Sequence, residues 1–183
     1  MGLLERIRGI KTLGDGTPVY ANAKISLERV NPIEAHPTAK YVLKGNLKEQ
    51  MRIKKELEKR GINTLSLNDI VQYGEDVTSP PVLEREGDRL AIVDGIHRMF
   101  VAKQLGVAVN AIVIEGSDPS RPSIGQTVSW SDVKVRGERP TDPKQCRDLK
   151  PGISDNSEDL KKHYRDFSGL GSRGRRPSKG QNG

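Results

Sequence analysis

The chain has 183 residues, of which 33% are hydrophobic, 4% aromatic and 30% charged, with a formal net charge of +7. So little apolar material predicts that part of the chain stays outside any core, and the single Cys, Cys146, excludes an internal disulfide framework and fits a reducing cytoplasm. No apolar run approaches the roughly 18 residues of a membrane span, and the basic excess is confined to the end: 13 Lys/Arg against 7 Asp/Glu from Lys134 onward, 18 against 17 before it.

Residues Gly2 to Ile10 read as a short amphipathic helix ended by Gly14-Asp15-Gly16, within an N-terminal extension over 1–20. Lys24 to Val30 alternates apolar and polar positions, the pattern of a strand. The segment Asn31 to Pro37 breaks regular structure at both prolines. A helix is predicted from Leu47 to Arg60, with Asn46 as N-cap, Glu49 completing a capping-box-like start and Gly61 as the stop. Leu67 to Tyr73 reads as one more short helix.

Pro81–Arg85 and Arg89–Val93 flank the tight-turn sequence Glu86-Gly87-Asp88 and predict a hairpin. The second of these strands runs into Asp94-Gly95. A helix from Ile96 to Leu105, closed by Gly106, and a buried strand from Val107 to Ile114 follow. Val128 to Val135 is expected to be a final strand. Beyond Gly137 the composition turns to Pro, Gly, Ser, Asp and Lys, which predicts a largely disordered basic tail over 137–183, with Asp159–Phe167 as one marginal helix. The domain proper is placed at 21–136.

The turn Asp94-Gly95-Ile96-His97-Arg98 concentrates the chemistry. Gly95 allows a sharp bend and a close approach, and the helix behind it directs unpaired N–H groups and a positive dipole end at the bend. His97 and Arg98 add side-chain donors, and a guanidinium can grip a phosphate through two parallel bonds. A cation in the first helical turn disfavours the helix by about 0.3–1 kcal/mol, so an anionic partner is expected. The same residues admit a plainer reading, in which Asp94 caps the helix and Arg98 is solvated or pairs with Asp94.

The stretch Pro81-Val-Leu, Ala91-Ile-Val-Asp-Gly-Ile-His-Arg-Met, Ala102-Lys-Gln-Leu-Gly-Val and Ile112-Val-Ile resembles the ParB/sulfiredoxin superfamily, with the likeness covering about residues 24 to 115. The resemblance implies a small mixed-sheet α/β (α+β) fold and a nucleotide, ATP or ADP with CTP as the alternative, carried with Mg2+. It places Gly95, Ile96, His97 and Arg98 at the phosphates and Asp94 at substrate or metal. Within the superfamily the turn is most similar to that of free serine kinases, with Ile96 where they have a first His. That likeness implies a kinase, a transferase moving a phosphoryl group to a small hydroxyl substrate, with Glu34 as base. The segment carrying His36 also meets the nucleotide in ParB proteins.

Each of these residues has a plain alternative: Glu34 as a solvated loop carboxylate, His36 as an exposed loop residue. A sulfiredoxin reaction is not expected, because Ile96 stands where that family has Cys. A ParB partition role needs a helix-turn-helix, and residues 137–183 are too polar to build one. The competing reading is a non-enzymatic nucleotide-binding module acting on DNA or a protein partner, its tail residues Arg173, Arg175, Arg176 and Lys179 neutralising phosphates or merely solubilising the chain. Gly169-Leu-Gly-Ser-Arg-Gly174 has no strand before it and supports no dinucleotide site. The one Cys and three scattered His predict no zinc site. Trp130 is read as a packing residue, and the oligomeric state is left open.

Overall fold

The computed structural model of the protein describes residues 2–74, 76–118 and 124–170. In chain order come α1 (Leu3–Arg8), β1 (Lys24–Val30), a 3-10 turn at Pro32–Glu34, β2 (Ala35–Pro37), β3 (Tyr41–Leu43) and α2 (Lys44–Glu58). Then follow β4 (Val71–Tyr73), β5 (Asp76–Thr78), β6 (Val82–Glu86), β7 (Arg89–Asp94), α3 (Ile96–Leu105) and β8 (Val109–Glu115). A 3-10 turn at Trp130–Asp132, β9 (Lys134–Arg136), α4 (Pro143–Cys146), α5 (Ser157–Lys161) and a 3-10 turn at Ser168–Leu170 complete it.

Five strands form a mixed sheet in the order β1-β8-β6-β7-β2. β6 and β7 make the expected antiparallel hairpin, β8 lies parallel to β6 and antiparallel to β1, and β2 lies parallel to β7. This is the mixed α/β architecture that the alternation of elements predicts. Both faces of the sheet are covered, which is why β8 is nearly continuous in Val, Ile and Ala. Leu83, Ala111 and Val113 pack with Met99 and Ala102 of α3. Val82, Ile112 and Ile114 face the other way, onto Leu3, Ile7, Tyr20, Phe167 and Leu170.

That second layer changes the reading of both ends of the chain. The helix over 2–10 is present, but its Leu3 and Ile7 are core residues. Residues 137–170, expected to be disordered, instead pack on the domain: Cys146, Phe167 and Leu170 are 6%, 5% and 1% exposed. Their backbone is tied in as well. Lys40 N–H donates to the Cys146 carbonyl at 2.9 Å, Leu13 N–H to Tyr164 at 2.7 Å and Asp166 N–H to Lys11 at 2.9 Å. A few apolar side chains suffice here because the sheet supplies the rest of the apolar surface. The marginal helix shrinks to α5, with Asn156 accepting from Glu158 N–H as its cap.

Three local expectations also shift. α2 begins at Lys44, so Asn46 lies inside it and Glu49 pairs with Arg52 at 2.7 Å instead of capping. The segment Leu67–Tyr73 is not helical: its end, β4, pairs antiparallel with β5. The expected strand Val128–Val135 is interrupted because the Ser129 hydroxyl accepts from Ser131 N–H and opens a 3-10 turn, leaving only β9 to pair with β3. Trp130 does pack, tilted against Phe100 at 6.1 Å, and its Nε1 donates to the Pro32 carbonyl at 2.9 Å.

An ion pair sits inside the second layer. Glu84 of β6, 2% exposed, accepts a hydrogen bond from the Tyr20 hydroxyl and lies 3.5 Å from Arg165 Nη2. Arg165 Nε also donates to the Tyr20 oxygen at 3.3 Å. Burial, then the Glu84 charge, holds the Tyr20 phenol well above its ordinary range, so it stays protonated and donating. This triad fastens the C-terminal segment to the sheet.

Candidate functional site

The C-terminal end of β7 opens into the turn that the sequence singles out. Gly95 is the N-cap of α3, with φ 86° and ψ 28° in the left-handed region. A Cβ there would stand 2.8 Å from Arg98 Nη2, 3.0 Å from its Nε and 3.0 Å from Pro81 Cβ. Glycine is required twice, by the torsion and by the side chain lying over it. Gly95→Ala is therefore expected to destabilise by about 1–2 kcal/mol from the left-handed backbone alone, and by more from the clash; urea melts showing no loss would contradict this packing.

Arg98 folds back over the turn. Its Nη2 donates to Asp94 Oδ2 at 2.8 Å, while Nη1 donates to the Ser79 hydroxyl at 3.0 Å and to the Ser79 carbonyl. The Asp94–Arg98 pair is only 18% and 12% exposed at the side chains. The plainer reading of these two residues is thus the one the geometry supports: the guanidinium braces the turn against the segment before β6. This offsets the unfavourable cation in the first helical turn without any ligand.

His97 also faces a protein partner. Its Nε2 accepts the Leu43 N–H at 3.0 Å, so the ring proton sits on Nδ1. Burial, reinforced by the Arg98 charge and opposed by Asp94, pushes its pKa down to about 4. At neutral pH it is an uncharged imidazole that locks α3 to the start of α2. Ile96 is partly buried between two apolar clusters.

Asp94, Gly95, Ile96, His97 and Arg98 line one cleft of about 1020 Å³. β3 and α2 contribute to its lining, and so does the C-terminal segment, with Arg139, Arg147 and Tyr164. The latter residues lie in the stretch whose composition predicted disorder. A signal was present: Tyr164 and Phe167 are two of only seven aromatic residues in the chain, and an otherwise polar tail has no use for them unless it packs.

Glu34 and His36 do not join this site. The register Ala35↔Leu90 sets Glu34, exposed in its 3-10 turn, beside the Arg89 end of β7. Asp94 lies at the other end of that strand, about 16 Å away at roughly 3.3 Å per residue. His36 lines a separate pocket of about 390 Å³ with Arg89, Lys103 and Trp130. The loop order of the sequence could not show this, because the parallel pairing of β2 with β7 sets Glu34 at the start of the shared ladder, the end remote from the turn. Among the described residues no group of three or more His, Cys, Asp or Glu could hold a metal. Nor is any of their helices long and apolar enough to cross a membrane.

A family model described as ParB CE domain matches residues 2–134, nearly three quarters of the chain. The chain belongs to the ParB CE domain family. No curated protein and no solved structure matches it. The match supports the ParB side of the resemblance, and it begins at residue 2, so α1 is part of the ParB CE domain. It stops at the first residue of β9, so the segment that walls the cleft lies beyond the ParB CE match.

Proposed function

We propose that this ParB CE domain is a nucleotide-binding module whose cleft takes the polyphosphate at the Asp94–Arg98 turn. The observation that carries the reading is convergence. The N-terminal amides of the ten-residue helix α3 open into the same 1020 Å³ cleft as the guanidinium groups of Arg139 and Arg147. Dipole, unpaired donors and cations together favour a multiply charged anion. Asp94 is the carboxylate of the turn, and one of its oxygens is engaged by Arg98. A magnesium ion there fits only as one carried mainly by the ligand's phosphates, the usual manner for Mg2+.

Of the two functions weighed from the sequence, the geometry favours binding over phosphoryl transfer to a hydroxyl compound such as free serine. The proposed base, Glu34, is at the wrong end of β7, and the carboxylates near the turn are tied to Arg98 and Arg52. Contact with DNA through Arg173, Arg175, Arg176 and Lys179 rests on charge alone, since these lie outside the described residues.

The test is thermal denaturation with ATP, ADP, CTP and GTP, each with magnesium. A ligand at 100 times its Kd should stabilise the fold by about 2.7 kcal/mol. No shift with any of the four would remove the proposal. Phosphoserine formed from ATP and serine would restore the kinase reading instead.

A further inference from the structure

We infer that the segment beyond the family match completes the cleft with a second anion-binding corner, Arg139 and Arg147 beside Tyr41 and Tyr164, which holds the outer phosphates of a polyphosphate. The inference rests on the nucleotide reading and deepens it, naming the part of the ligand these two arginines hold.

Among the described residues neither arginine has a counter-charge. No described carboxylate lies within ion-pair distance of either, and nearby Asp148 is engaged by Lys40. Arg147 is partly buried, its guanidinium 5.5 Å from the centre of the Tyr164 ring. Arg139, Tyr41 and Tyr164 are all close enough to act on it electrostatically. Burial lowers its pKa, and the neighbouring Arg139 charge adds to that effect. Two adjacent guanidiniums at a cleft wall, one of them largely desolvated, repel each other unless an anion lies between them. The phenols of Tyr41 and Tyr164 add hydroxyl donors of the kind that complete a phosphate shell.

The corner is also held in place in advance. Arg147 N–H donates to the Pro143 carbonyl at 3.1 Å, and the preceding residue's carbonyl accepts from Lys40 N–H at 2.9 Å. Tyr164 is adjacent to Arg165, the residue pinned to buried Glu84. Backbone held by such supports needs little further ordering when a ligand binds. The residues of the Gly95 turn and those of this corner line the same cavity of about 1020 Å³, room for a chain of phosphates rather than a single one.

Titration calorimetry on the full chain with tripolyphosphate, ATP and CTP, with and without magnesium, tests this. Arg139→Met and Arg147→Met should each weaken tripolyphosphate and nucleotide binding by at least tenfold, with Arg147→Lys intermediate. Arg139 is exposed, so its variant decides the matter should Arg147→Met fail to fold. Nucleotide binding unchanged in these variants overturns the corner and leaves the nucleotide reading intact. Arginine-dependent binding of tripolyphosphate with no nucleotide binding upholds the corner and overturns that reading. No binding of any of these anions by the parent protein overturns both.

Discussion

Arg165→Met is expected to cost the fold about 3–5 kcal/mol, the usual penalty for leaving one member of a buried ion pair uncompensated. Glu84 is 2% exposed and the Arg165 side chain 4%. Removing the guanidinium leaves the carboxylate with the Tyr20 hydroxyl alone, and it also deletes the contact 5.8 Å over the Tyr20 ring. For a chain of this size that corresponds to a fall in Tm of roughly 6–20 °C. The double variant Glu84→Gln/Arg165→Met should recover much of the loss, because it removes the stranded charge. If the single variant melts with the parent, the C-terminal segment is not fastened to the sheet through this pair. The wall of the cleft would then have to be held in another way.

The second large effect is acid sensitivity through His97. Its folded pKa is pushed down to about 4, against about 6.5 in an unfolded chain. The unfolded state therefore takes up the proton first as the pH falls. The neutral ring's contribution is complete above pH 6.5 and is lost progressively between 6.5 and about 4. At about 1.4 kcal/mol per pKa unit, the full loss is on the order of 3 kcal/mol. Protonating Nε2 also removes the acceptor for the Leu43 N–H, so α2 should loosen from α3. Urea titrations from pH 7 to 4.5 should show the decline, and His97→Gln should flatten it, since an amide oxygen can accept the same N–H without titrating. An identical slope in the variant would show that another group carries the acid response.

These two effects also mark what could be read in the one-dimensional pattern. The hairpin β6–β7, the turn at Gly95, α3 and β8 were all legible, because each is specified locally. Alternating or continuous apolar runs set the strands, and Gly87, Gly95 and Gly106 punctuate them at positive φ of 61°, 86° and 66°. The start of α2 was misread because its position depends on His97, more than fifty residues later, which accepts the Leu43 N–H. No capping preference around Asn46 could report that. Arg98 was chemically ambiguous for a similar reason: its partner Ser79 lies on another strand connection, and only packing reveals that both terminal nitrogens are engaged.

The amino-acid order by itself determined the mixed α/β class and the apolar strand that delivers a glycine bend and a helix N-terminus. These follow from hydrophobic period and backbone freedom, which act over a few residues. The tertiary structure alone decided which charges face the cleft. Strand pairing set Glu34 at the far end of β7 and His36 in a separate pocket, and the sheet's uncovered face captured residues 137–170, bringing Arg139 and Arg147 to the lining of the cleft. Burial and pairing depend on contacts between segments far apart in the chain, and those contacts gave Arg98 its partner Ser79 and His97 the Leu43 N–H.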